Sequence, residues 1–358
     1  MADAQPSAGE TILQQFLNVG FVQLNQVVDR DTVNQFVDQI RDELARTTNI
    51  EKERSIGRVE LENQSTWPQK GGRRVVECAP AGVGVHWEKL KSSQKFCSAL
   101  DEIVGPSCWE LPLNKPRTAD EDSTIRHWYF PITFPETLYN DSSLSSSALS
   151  KPASVCPHLA ILRSNREELQ ADGPFTNEEI DAPTRWQPVS RRRVRGKGWH
   201  LDSGPGFGND DLRTSQGHPY QCVVVLLLLS DCLPGGGGTC LYPYSHKIVE
   251  RKLQEIDGAG MTHHELNTWC VSQMKDLIER KKISLVPGGV QKFRSSEDGA
   301  VPQIVGRAGD VVLMHPLLIH SGTTNLRTTL RLMGNGMVRM KKDVYDSRGG
   351  MYFMKPEL

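Results

Sequence analysis

The sequence predicts a single α+β domain built around an antiparallel barrel or jelly roll. Three observations carry that expectation. Apolar residues at helical spacing are concentrated in the first part of the chain, and short runs rich in Val, Leu and Ile dominate the second. Glycine-rich turns separate those runs, with few helices between them, whereas a parallel α/β sheet needs a helical crossover after each strand.

Residues 10–16 and 31–44 carry the helical period. The second stretch opens at Asp29-Arg30-Asp31, a suitable N-cap region, and sets Val33, Phe36, Val37, Ile40 and Leu44 on one face. Between the two, Gly20-Phe21-Val22-Gln23-Leu24 alternates as a short strand does. Residues 51–72 are polar and show no clear period. A further helix is expected over 92–104, ended by Gly105-Pro106, and the serine-rich stretch 141–154 reads as a surface insertion. Strands are expected over 158–163, 223–230, 238–244, 310–320 and 330–340. Their turns lie at Leu233-Pro234 with four glycines after it, at Gly306 to Gly309, and at Ser321-Gly322. Residues 253–282 interrupt the series with a helical insertion, clearest over 263–281. The glycines 235–238 lack the lysine and hydroxyl residue of a phosphate loop and read as a tight turn. Residues 1–358 therefore read as one domain: a helix-rich part over about 1–150 and a jelly-roll core over about 155–342, with an insertion over about 250–300.

Composition narrows the function classes. With 37% hydrophobic and 24% charged residues, the 358-residue chain can bury an ordinary globular core. A formal net charge of −1 gives no global pull toward nucleic acid or an anionic membrane. The longest apolar run, 222–229, is strand-sized rather than membrane-spanning. Residues 1–10 lack the basic start and apolar run of a secretory signal. The eight cysteines form no C-x-x-C pair, so reduced thiols and a cytoplasmic location are expected, with Cys222 a small core residue.

The chemistry centres on Trp199-His200-Leu201-Asp202. In an extended chain, residues two apart point to the same face, so His200 and Asp202 can converge on one ion. A third ligand must come from elsewhere, and His320 closes the strand expected over 310–320. Two histidines and one carboxylate leave open positions for a bidentate co-substrate and O₂, the arrangement of non-haem iron(II) oxygenases. Arg331, eleven residues after His320, falls on the next expected strand, where a hairpin would return it beside the ligand. Its guanidinium suits bidentate grip of a carboxylate, and in Thr329-Leu330-Arg331-Leu332-Met333 an inward charge calls for an anion. Thr329 shares the face of Arg331 by parity and can add a hydroxyl.

At this point the chain resembles the phytanoyl-CoA dioxygenase family. Phe16 to Leu24 looks like that family's opening helix and strand, and the helix over 31–44 follows. The resemblance continues through Trp199-His200-Leu201-Asp202 and Leu228-Leu229-Ser230-Asp231. It runs on through Pro243-Tyr244-Ser245-His246-Lys247, and from Gly309-Asp310-Val311-Val312-Leu313 to His320, with Asn325 and Arg331 at the family's spacing. It implies a double-stranded β-helix (a cupin-like jelly roll) with flanking helices. It also implies Fe(II) held by His200, Asp202 and His320, and 2-oxoglutarate held by Arg331, with O₂ as the oxidant and succinate and CO₂ as co-products. Halogenating relatives carry Gly or Ala at the carboxylate position, so Asp202 points to hydroxylation or a related oxidation. The chain departs from the family in having Ser321-Gly322 where Gly-Ser is common, and Tyr244 where glycine is usual.

The remaining candidates have simpler readings beside functional ones. His315 falls on the opposite face from His320 by parity and reads as structural, and His246 as a hydrogen-bonding turn residue. His263-His264 carry no matching third ligand. Trp199, Ser203 and Phe207 are expected near substrate. The basic run 191–197 reads as a solvated loop or as one wall of the site, where Arg192 and Arg193 would draw a small-molecule substrate of anionic or acyl-CoA-like character. Two rival functions stand beside a small-molecule oxygenase. One is an oxygenase acting on a protein or nucleic acid, and the near-neutral charge disfavours the latter. The other is a non-catalytic jelly-roll binding protein.

Overall fold

The computed structural model describes residues 11–47, 59–67, 72–77, 84–111, 129–135, 199–201, 213–214, 221–233, 236–255, 261–279, 284–287, 300–323, 325 and 329–347. Helix α1 (Ile12–Val19) starts from a reciprocal cap. The Gln14 amide donates to Thr11 Oγ1, and the Thr11 amide donates to Gln14 Oε1. It ends at Gly20 with φ 98°, where a Cβ would also lie 2.6 Å from His246 Nδ1, so conformation and space both demand glycine. Strand β1 (Phe21–Leu24) and helix α2 (Arg30–Thr47) follow as expected. Strand β2 (Gly72–Glu77) and helices α3 (Gly84–Ser92) and α4 (Gln94–Ile103) come next.

The first part of the chain gives more than helices. Strands β3 (Trp109–Glu110) and β4 (Tyr129–Phe134) join β1 and β2 in the same large sheet. The second half supplies β5 (Arg213–Thr214), β6 (Gln221–Leu228), β7 (Thr239–Leu241) and helix α5 (Ser245–Glu255). Strand β8 (Met261–Thr262), helix α6 (His263–Glu279), β9 (Ser284–Pro287) and β10 (Ala300–Gln303) follow. Strands β11 (Val311–Met314), β12 (His320–Gly322), β13 (Arg331–Met340) and helix α7 (Lys342–Ser347) complete the described chain. The strand expected over 158–163 and the insertion expected over 141–154 lie outside the described residues.

The large sheet has the order β1-β11-β6-β13-β4-β2, with β3 on the far end of β13, and its pairings are antiparallel. A smaller sheet, β12-β7-β10-β9, is antiparallel except for β9 beside β10. Alternation along β6 shows how the two layers meet. Val223, Val225 and Leu227 pack with Phe36, Ile40, Phe96 and Leu100 of the helices. Val224, Leu226 and Leu228 pack with Leu241 and Ile304 of the smaller sheet's side. Strand β6 is thus buried on both faces, which explains its unbroken apolar run. Two facing antiparallel sheets with helices on one outer face form the α+β jelly-roll architecture.

Three expectations need correction. Residues 310–320 are not one strand. His315 and Pro316 enter a turn in which the Leu318 amide donates to His315 O and the Leu317 amide to His315 Nδ1. The chain thereby leaves the large sheet at Met314 and enters the smaller one at His320, so parity between His315 and His320 has no meaning. The expected hairpin from His320 to Arg331 is absent for the same reason, since β12 and β13 belong to different sheets. The helical insertion also starts earlier than 253. Ser245-His246-Lys247 is the first turn of α5, and the short β8 separates it from α6. Among the described residues, no helix is long and apolar enough to cross a membrane.

Candidate metal centre

His200 and His320 are joined through their backbones. The His200 amide donates to His320 O at 2.9 Å, and the His320 amide donates to His200 O at 3.0 Å, so residues 199–201 extend the smaller sheet beyond β12. The exchanged pair sets both side chains on one face of the sheet, with ring centroids 4.3 Å apart. That face is the interior one, because His320 stands opposite Leu241 in register and Leu241 packs against the large sheet.

His320 is 4% exposed, and its Nδ1 lies 2.9 Å from Leu318 O. A carbonyl can only accept, so Nδ1 donates and this contact fixes the ring's orientation. The approach to His320 is held from α5 and from the loop after β7. The Ile319 amide donates to Ser245 Oγ at 2.8 Å, and the Tyr242 amide donates to Ile319 O at 2.9 Å. Asp202 lies outside the described residues, as do Ser203, Phe207, Arg192 and Arg193.

Arg331 reaches the same interior from the opposite sheet. Its neighbour Leu332 faces the helices while Met333 faces the smaller sheet, so Arg331 shares the inner face with Met333. It is 3% exposed. Its Nη2 donates to Thr133 Oγ1 at 2.7 Å and its Nη1 to Met333 Sδ at 3.2 Å. Thr133 stands opposite Arg331 in the β4–β13 register and alternates with Phe130, Ile132 and Phe134, which face the helices. Thr329 does not supply the hydroxyl at Arg331 Nη2. It is exposed, and its carbonyl accepts from Asn325 Nδ2 at 2.7 Å. The same Asn325 Nδ2 donates to Thr133 O at 3.1 Å, pinning the β12–β13 connection to β4.

Two buried thiols lie near this arrangement. Burial pushes Cys232 up to about 11, against the pull of the Arg331 charge, and burial also holds Cys240 well above its ordinary value. Both therefore stay protonated and poor as ligands or nucleophiles. Trp199 is buried at 3% exposure.

Behind the centre, His246, His315 and Glu250 form a separate cluster. The His246 and His315 rings are 4.8 Å apart, and His315 Nε2 lies 3.3 Å from Glu250. His246 Nε2 donates to Leu17 O at 3.0 Å, capping α1 from α5. Burial, then the neighbouring His315 charge, lower His246 to about 3, so it is neutral at ordinary pH. Burial alone would raise Glu250, but the hydrogen bond and charge of His315 carry it below its ordinary value. Both histidines thus serve the fold, although the strand parity on which the sequence reading of His315 rested does not hold. Among the described residues, no group of three His, Cys, Asp or Glu side chains is gathered as a metal cluster.

Sequence reasoning missed Thr133 and Asn267. The alternation Phe130, Ile132, Phe134 was the available signal for the first, because it sets Thr133, with Tyr129 and Pro131, on the other face. Asn267, whose Oδ1 accepts the Leu201 amide at 2.8 Å, has no local signal, since the contact spans 66 residues.

The facing sheets thus carry a histidine pair on one inner face and a buried arginine on the other. Residues 165–333 match the model of the phytanoyl-CoA dioxygenase (PhyH) family. The protein is accordingly a non-haem iron, 2-oxoglutarate-dependent oxygenase that uses Fe(II), 2-oxoglutarate and O₂. No curated relative matches the chain. Similar solved structures include apo EctD from S. alaskensis, at 12% identity and TM-score 0.42, covering 95% of this chain and 79% of that one. The epimerase SnoN from nogalamycin biosynthesis, in complex with Fe3+, alpha ketoglutarate and nogalamycin RO, is similar at 13% identity and TM-score 0.41, covering 92% and 82%. HygX from Streptomyces hygroscopicus, with nickel, 2-oxoglutarate and hygromycin B bound, is similar at 13% identity and TM-score 0.37, covering 91% and 84%. Likeness at this level adds nothing to the assignment of individual residues.

Proposed function

We propose that His200, Asp202 and His320 hold Fe(II), that Arg331 with Thr133 receives the far carboxylate of 2-oxoglutarate, and that the enzyme hydroxylates a small organic molecule. One observation carries this reading. The His200 and His320 rings stand 4.3 Å apart on the inner face, with His320 Nδ1 held on Leu318 O. That donor set fits iron(II): two imidazoles, one with its ring orientation fixed, and a carboxylate two residues on from the first. Iron(II) held by these residues would activate O₂, the oxidant, with 2-oxoglutarate as the co-reductant converted to succinate and CO₂. The chain supplies orientation and dryness. Arg331 offers a charged, directional grip for a carboxylate, and Leu241, Leu226 and Met333 make the interior apolar.

The 1–358 chain acts as one unit in this reading, because β1, β2 and β4 complete the sheet that carries Arg331. Asp202 fills the position that halogenation leaves open, which favours hydroxylation. The arginines at 192 and 193 would draw an anionic or acyl-CoA-like substrate. The test is succinate release by the iron-loaded enzyme across panels of small acids, acyl-CoA thioesters and neutral metabolites. A substrate that stimulates release and returns one oxygen atom heavier supports the reading. Stimulation by a protein or nucleic acid alone would overturn the small-molecule part of it.

A further inference from the structure

Helix α6 lies in the insertion between β7 and β10, and Asn267 brings it to the ligand-bearing segment 199–201. In an antiparallel strand, successive residues turn their backbone groups to alternate edges. His200 uses both its amide and its carbonyl on His320, so the Leu201 amide points to the opposite edge, away from β12. Among the described residues no strand pairs there. Asn267 Oδ1 occupies that place and accepts the Leu201 amide at 2.8 Å. Leu201 is 2% exposed, so water is poorly placed to substitute.

The helix is held so that Asn267 meets this edge. Leu266 and Cys270, adjacent to Asn267 and one turn on, are fully buried. A second tie comes from the backbone. Strand β8 leads directly into α6 and pairs with β5, so Arg213 stands opposite Thr262. The chain leaving the ligand segment is therefore fastened to the start of the same helix.

We propose that Asn267 is a positioning residue for the metal centre: through the Leu201 amide it fixes the backbone between His200 and Asp202, and so the convergence of the two side chains. This rests on the ligand assignment proposed above. The inserted helix becomes part of the metal site's supporting shell, and a change of its packing would be felt as a change in metal affinity.

The experiment compares wild type, Asn267→Leu, Asn267→Ala and Asn267→Asp. Amide hydrogen exchange is followed in the metal-free proteins, and Fe(II) binding is titrated anaerobically. Leu and Ala should speed exchange at Leu201 while leaving the His200 amide, bonded to His320, protected. They should weaken Fe(II) binding about 10- to 100-fold, the usual effect of losing an outer-shell partner. Asp keeps an acceptor oxygen in place and should retain both properties. The Ala variant carries the test should Leu fail to fold. Fe(II) binding equal to wild type in the Leu or Ala variants, or unchanged exchange at Leu201, would overturn the proposal. So would an equal loss of affinity in Asp, Leu and Ala. Wild type that binds no Fe(II) would overturn the ligand assignment instead, and the proposal with it, a result told apart because Leu201 exchange still responds to the substitutions.

Discussion

Replacing Thr133 by valine keeps the side chain's shape and removes the acceptor for Arg331 Nη2. The contact is 2.7 Å long, and both residues are buried on the interior face. Hydrogen bonds to a charged group contribute about 1.5–3 kcal/mol. At roughly 1.4 kcal/mol per tenfold, the loss corresponds to a 2-oxoglutarate affinity weaker by about 10- to 100-fold. The effect should fall on the KM for 2-oxoglutarate, because the proposed iron ligands are untouched and saturating co-substrate restores the occupied site. Threonine to serine, which retains the oxygen, should stay near wild type. The assay is succinate release at varied 2-oxoglutarate, with anaerobic binding as a check and thermal unfolding to confirm folded protein. A folded T133V enzyme with wild-type affinity for 2-oxoglutarate would refute the placement of the far carboxylate at Arg331 and Thr133.

Other outcomes follow from particular contacts. Gly238→Ala puts a Cβ 2.1 Å from the Ile304 carbonyl oxygen and 3.0 Å from Cys232 Sγ, so it should cost about 1–3 kcal/mol and lower Tm by several degrees. His246 binds its proton less readily folded than unfolded, so the unfolded chain takes up more protons below its ordinary value. Stability should therefore fall as pH drops below about 6.5, by up to about 1.4 kcal/mol per pH unit, and His246→Gln should flatten urea midpoints measured between neutral and mildly acidic pH. Neutralising Arg192 and Arg193 together should raise the KM for an anionic substrate, and an unchanged KM would leave the 191–197 run as solvated surface.

Much of the architecture was legible in the sequence because local periodicity reports burial. Strand β6 is apolar from Cys222 to Leu228 since both of its faces are covered, and α1 and α2 carry apolar stripes with capping residues before them. The His-x-Asp spacing and the distant histidine and arginine were legible because their residue types state their chemistry. What was not legible depends on where the chain changes layer. A continuous pattern from Asp310 to His320 looks like one strand, yet Pro316 and the His315 turn pass the chain between sheets. Arg331 and the histidine pair thus face a shared interior from two different sheets rather than across a hairpin. Local alternation puts Thr133 on the inner face but cannot name Arg331, 198 residues away, as its partner, and for Asn267 no local pattern exists at all.

The central claim is tested most directly by anaerobic addition of Fe(II) and 2-oxoglutarate to wild type and His320→Ala, followed through the visible metal-to-ligand charge-transfer band. The account predicts the band in wild type and its loss in the folded variant. Equal bands in both proteins would contradict His320 as a ligand, and no band in folded, iron-supplemented wild type would contradict the metal centre itself.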